Sequence, residues 1–167
     1  MVINSSRMVN GEVKKLSKVK LNLNNERFKP YYATVSFCSV SGFVKKVDFN
    51  LEIELKIESE FLALCYKCGD PAVFNINTEV NDTIDLTGQI PYNFVKGKQF
   101  NLSEYVEEEL ILNFPSKIVC KEDCLGLCGS CGKNLNKGKC NCEYAIKDNA
   151  NNPFSELKKI LKNKEID

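Results

Sequence analysis

Six of the nine cysteines in this chain fall within residues 120–142, a segment with too little apolar content to fold by burial alone. Something other than a hydrophobic core has to hold it, and the spacing of the sulfurs says what. Cys65-Tyr-Lys-Cys68-Gly69 and Cys128-Gly-Ser-Cys131-Gly132 share the form C-x-x-C-G. A two-residue spacer folds as a tight turn that aims both sulfurs at one ion. The glycine then takes a conformation other residues avoid, so that backbone N–H groups point at the thiolates. Cys140-Asn-Cys142 is a C-x-C pair, and on an extended chain residues two apart project to the same side. Cys120 and Cys124 are four apart and share one face of a helical turn.

Eight cysteines so spaced make two four-sulfur sites. The favoured pairing joins Cys128, Cys131, Cys140 and Cys142 in a ribbon-like loop closed by residues 134–138. Cys65, Cys68, Cys120 and Cys124 form the other, tying the first part of the chain to the cysteine-rich segment. Sulfur donors in a chain without histidine favour zinc (Zn), in two structural four-cysteine sites with Zn–S bonds of about 2.3 Å. Such a zinc contributes on the order of 10 kcal/mol to folding in small modules. An iron–sulfur cluster uses the same four thiolates and is the competing reading. A redox C-x-x-C is less well supported, because no thioredoxin-like βαβ pattern surrounds either pair. Cys38 is left over inside a predicted strand and reads as a small buried hydrophobe. An odd cysteine count argues against disulfides, as does the lack of an apolar leader in residues 1–11. The expected location is therefore the cytoplasm, where thiols stay reduced. No run approaches the roughly 20 apolar residues of a membrane span.

The expected fold is α+β: an antiparallel β meander forming a sandwich or partly open barrel, two helices, and a C-terminal cysteine-rich zinc module. With 167 residues, 43% of them apolar, there is material for a β-rich core with one helix over 1–115. The zinc module and last helix occupy 116–167, packed on the core or continuous with it. Val19, Leu21 and Leu23 alternate with polar residues, as do Leu51, Ile53, Leu55 and Ile57, giving the period of a half-buried strand. Further strands are expected at 33–39, 61–65 and 73–80, with a turn at residues 68–71. Asn101 and Glu104 make a capping box for a helix that buries Leu102, Tyr105, Val106 and Leu110. Glu104, Glu107 and Glu108 face away, and Pro115 ends the segment. Asn152-Pro153 opens a second helix with Phe154, Leu157, Ile160 and Leu161 on its buried face.

Catalysis finds little support. Without histidine, Ser–His, Cys–His and His–metal chemistries are excluded. No phosphate-cradling glycine motif is present. Glu107, Glu108 and Glu109 splay around a helix and read as a solvated face. A metal held by four protein sulfurs leaves no position for substrate. The expectation is a binding protein with no enzymatic activity and no small-molecule substrate. Net charge is +1, but residues 1–20 and 115–167 are basic while residues 21–114 carry fourteen acidic against eight basic residues. Basic ends around an acidic middle permit contact with RNA or a ribonucleoprotein.

Four features in order resemble the YceD family, which is bacterial and plastid, over about residues 50–162. They are Cys65-Tyr-Lys-Cys68-Gly69 after a strand; Tyr105-Val-Glu-Glu-Glu-Leu-Ile-Leu-Asn-Phe-Pro115; the run from Cys120 through Cys124, Cys128 and Cys131 to Asn136; and Asn152-Pro-Phe-Ser-Glu-Leu157. In the branch this chain looks like, a C-x-C follows, as Cys140 and Cys142 do. Other branches lack that ribbon yet keep the first C-x-x-C and a ligand near Cys120 and Cys124, which supports the two-site partition. The resemblance implies a role in large ribosomal subunit biogenesis, with accumulation of large-subunit ribosomal RNA. The implied partners are a large-subunit precursor, ribosomal RNA or a large-subunit ribosomal protein. Two readings follow. In the first, Lys133, Lys137 and Lys139 on the ribbon, with Lys158, Lys159 and Lys162 on the last helix, contact RNA. In the second, the chain is an adaptor or chaperone that holds a basic ribosomal protein through its acidic face.

Overall fold

The computed structural model describes residues 1–142. In chain order these form β1 (Val2–Asn4), β2 (Val13–Lys20), β3 (Ala33–Val47), β4 (Asn50–Leu64), β5 (Pro71–Asp85), β6 (Val95–Lys96), β7 (Gln99–Asn101) and the helix α1 (Leu102–Leu112). Short 3₁₀ segments lie at Ser5–Arg7 and Asn25–Tyr31. The chain divides into two compact units, Met1–Gly126 and Leu127–Asp167. The second helix expected from Asn152, with Phe154, Leu157, Ile160 and Leu161, lies outside the described residues. No helix among the described residues is long and apolar enough to cross a membrane.

Strands β2, β3, β4 and β5 pair in that order as an antiparallel meander, and β1, β7 and β6 make a second, smaller antiparallel sheet. Both are open sheets, and no barrel closes among the described residues. β4 sets the register. Leu51, Ile53, Leu55, Ile57, Phe61 and Ala63 are all buried on one face. Each large apolar side chain there is worth about 1.5–3 kcal/mol. A slip of one residue would turn the whole row to solvent, which pins the pairing.

The strands are longer than the alternation suggests. Residues 51–57 and 61–65, expected as two strands, are one strand to Leu64. Ser59 is the reason: it takes an inward position, and its buried hydroxyl donates to the Ile76 carbonyl at 2.8 Å. A satisfied hydroxyl is tolerated in the core, but it breaks the apolar pattern. The strand expected at 33–39 runs on to Val47 beside β4. The strand expected around Val19, Leu21 and Leu23 is shifted: β2 ends at Lys20, after a register shift between Leu16 and Val19 where Lys18 has φ 47°. Leu21 is still buried.

Helix α1 starts at the expected cap. The Asn101 side-chain oxygen accepts from the Ser103 N–H at 3.2 Å, and its amide donates to Glu104 at 2.8 Å. Leu102, Tyr105, Val106 and Leu110 are buried, as the stripe predicts. Glu107 does not face away. It is 3% exposed, accepts from the Asn24 N–H at 2.6 Å and pairs with Arg27 at 3.4 Å. This carboxylate ties α1 to the 3₁₀ segment that carries Phe28 into the core. Glu107→Ala would take the buried acceptor from the Asn24 N–H and the Arg27 guanidinium, so we expect about 1–3 kcal/mol of destabilisation. Glu108→Ala, removing a half-exposed ion pair, should cost under about 1 kcal/mol. Equal urea midpoints for the two variants would refute this role.

Candidate metal centres

After α1, Phe114 packs edge-on against Phe61 and Phe74, with ring centroids 5.4 and 5.3 Å away. That anchors the chain beside the β4–β5 hairpin, where residues 65–70 make the turn. The Tyr66 N–H donates to the Ile118 carbonyl at 2.9 Å, so the segment holding Cys120 and Cys124 runs alongside the first C-x-x-C. Residues 121–124 form a turn closed by Cys124 N–H to the Lys121 carbonyl at 3.1 Å, rather than a helix. The four sulfurs of Cys65, Cys68, Cys120 and Cys124 lie within 4.8 Å of one another. Sγ of Cys65 is 3.8 Å from that of Cys124, and Cys68 to Cys120 is 3.6 Å. A zinc tetrahedron with bonds of about 2.3 Å has sulfur–sulfur edges of about 3.8 Å, so the donor set fits a tetrahedral dication. Ala72, Ile118 and Val119 pack around this group.

In the second unit, Cys128, Cys131, Cys140 and Cys142 likewise lie within 4.8 Å of one another. The two C-x-x-C-G turns are built alike. Gly69 N–H donates to the Cys65 carbonyl at 2.8 Å, and Gly132 N–H to the Cys128 carbonyl at 2.9 Å. Cys65 N–H reaches the Asp70 carbonyl at 2.8 Å, and Cys128 N–H the Lys133 carbonyl at 2.8 Å. Gly69 has φ 73° and Gly132 φ 71°, the left-handed region that glycine enters at no steric cost. A hairpin end and a surface loop thus converge on one geometry, which follows from the motif more than from its surroundings.

Within each group two thiols are driven in opposite directions. Burial acts to raise Cys65, but backbone N–H groups of Cys120, Cys68 and Lys67 outweigh it and bring the thiol down to about 6. Burial and the neighbouring sulfurs push Cys120 up to about 12. In the second group, backbone N–H groups of Cys131 and Ser130 lower Cys128 to about 6, while Cys131 beside it and burial push Cys142 up to about 12. Cys65 and Cys128 form thiolates readily, whereas Cys120 and Cys142 resist a second negative charge beside them. A bound dication removes that conflict. Cys38 belongs to neither group; it is buried on β3, and burial together with the Glu107 charge raises its thiol to about 11.

The lysines are less alike than their spacing suggests. Lys137 and Lys139 are exposed. The Lys133 ammonium donates to the Lys139 carbonyl at 2.8 Å, closing the loop between the ligand pairs. Lys158, Lys159 and Lys162 lie outside the described residues. In the first unit Tyr66 is exposed at the tip of its knuckle, with the Lys117 ammonium 5.8 Å from the ring centroid. A charge count does not single out this pair; the signal was an aromatic residue between two ligands of a tight turn.

Comparison with known proteins bears on both units. The family described as large ribosomal RNA subunit accumulation protein YceD matches residues 53–161. The chain is also similar to the large ribosomal RNA subunit accumulation protein YCED homolog 1, chloroplastic, of Arabidopsis thaliana. Identity is 32% over 68 residues, which are 41% of this chain and 21% of that protein. The match thus spans about one-fifth of that relative's length. No solved structure matches.

Proposed function

The chain belongs to the YceD family of large ribosomal RNA subunit accumulation proteins, and on that premise we propose that it is a zinc-stapled, non-enzymatic factor that binds large-subunit ribosomal RNA or its precursor particles. Both four-sulfur groups hold structural zinc, with Cys65, Cys68, Cys120 and Cys124 on one ion and Cys128, Cys131, Cys140 and Cys142 on the other. All four positions of a tetrahedral ion are then protein sulfurs, which leaves none for a substrate. The cytoplasm of a bacterium, where subunits are assembled and thiols stay reduced, is the setting this reading assigns.

The observation that carries the RNA reading is the exposure of Lys137 and Lys139 on a loop whose backbone the second sulfur group holds. Cations on a rigid loop bind phosphate without first losing backbone entropy. In the first unit, Tyr66 with Lys117 offers a flat aromatic face beside a cation, the pairing that stacks on an unpaired base. Lys158, Lys159 and Lys162 would extend the contact. Reversing charge at Lys137 and Lys139 should lower co-sedimentation with large-subunit precursors several-fold, while zinc stays at two per chain. The salt slope of RNA binding should fall by about one per lysine. Unchanged sedimentation of that folded variant would reject the contact.

A further inference from the structure

Even-numbered residues of β4 point away from the core, onto the outer face of the four-stranded sheet. At the hairpin end this face is apolar. Leu62 pairs across to Val73 on β5 and to Thr34 on β3, Leu64 sits opposite Pro71, and Phe37 lies opposite Glu60. Exposure is 46% for Leu62, 52% for Leu64, 63% for Val73 and 41% for Phe37. Four large apolar side chains left open side by side on one sheet face are the mark of an interaction site.

The same face turns acidic further along. Glu60, Glu58, Glu54 and Glu52 continue the β4 row, and Glu79 on β5 faces Lys56. Three of its lysines are engaged: Lys45 pairs with Glu52 at 3.0 Å, Lys56 with Glu79 at 3.5 Å, and Lys20 lies over the Phe37 ring at 5.9 Å. Among the described residues, no ion pair neutralises Glu54, Glu58 or Glu60. An apolar strip continued by unneutralised carboxylates selects its occupant by charge. RNA phosphate is repelled, and a second copy of the same face would set glutamate against glutamate.

We propose that this outer face of β3, β4 and β5 docks a basic, amphipathic segment of a partner protein. Its apolar side chains cover Leu62, Leu64, Val73 and Phe37, and its cations meet Glu54, Glu58 and Glu60. The proposal stands on this face alone and does not depend on an RNA contact elsewhere.

The test uses the full zinc-loaded chain and two labelled peptides of one amphipathic pattern, leucine on one side with either lysine or glutamate on the other. Fluorescence anisotropy should show binding of the lysine peptide and none of the glutamate peptide. Glu54→Lys with Glu58→Lys, and separately Leu62→Ser with Val73→Ser, should each weaken that binding about tenfold or more. Both double variants should keep two zinc ions and the parental circular dichroism, since every altered side chain is solvent-facing. Equal affinity in either folded variant would overturn the proposal. So would competition by single-stranded RNA for the face, or a dimer of the chain that dissociates in the Leu62, Val73 variant.

Discussion

Cys68→Ser should release one of two zinc ions and lower the melting temperature of the first unit by more than about 10 °C. The sulfur group it belongs to joins the β4–β5 hairpin turn to residues 120–124, which follow α1, and few apolar groups pack there besides Ala72, Ile118 and Val119. With the Cys68 sulfur gone, Cys65, Cys120 and Cys124 supply only three of the four ligands, and once the ion leaves, the turn loses its main cross-link. Structural zinc is worth on the order of 10 kcal/mol in small modules, against a total domain stability of about 5–15 kcal/mol. Cys131→Ser should also release one ion, but its ligands all fall within residues 128–142, so the first unit should melt as in the parent. Cys38→Ala should keep both ions, because that thiol is buried in β3, outside both groups. Elemental analysis with differential scanning calorimetry reads all three variants. Iron in place of zinc would reverse the choice of metal. Equal melting temperatures for Cys68→Ser and Cys131→Ser would show that the first centre does not brace the sheet.

Gly42→Ala should destabilise the chain by more than about 3 kcal/mol, among the largest effects a one-carbon change can have. Gly42 sits opposite Leu55 in the β3–β4 ladder with φ 133°. A Cβ there would stand 2.1 Å from the Glu54 carbonyl oxygen. Two costs add: L-residues avoid that backbone region, and the obstruction is main chain, which can yield only if the strands separate. Gly88→Ala separates the two terms. Its φ is 85°, but nothing lies within 4 Å of its added carbon, so only the conformational cost of about 1 kcal/mol remains. Urea titration of both variants should show unchanged slopes and a much larger midpoint shift for Gly42→Ala. Similar shifts for the two would mean that the ladder has room at this position.

What could be read from the residues in order was whatever is decided over a few neighbours. The C-x-x-C-G turns are local chemistry, and both fold alike in different surroundings. The Asn101 cap and the buried stripe of α1 are local as well, because a cap acts over one turn and a stripe repeats every few residues. The antiparallel meander follows from alternation joined by short turns. Long-range partners decided the rest. Ser59 turns inward because the Ile76 carbonyl accepts its hydroxyl, and so two expected strands became one. Glu107 is buried because an N–H from residue 24 and the Arg27 guanidinium meet it, and nothing near it in the chain signals either. Lys133 spends its ammonium on the Lys139 carbonyl once the loop closes. Both sulfur groups could be assembled from the spacing of the pairs, but what holds residues 120–124 beside the β4–β5 turn, Phe114 docked on Phe61 and Phe74, is a long-range contact. A short-range pattern is set by covalent geometry and backbone sterics, which every copy of a motif shares. A long-range contact exists only after packing has chosen which surfaces meet.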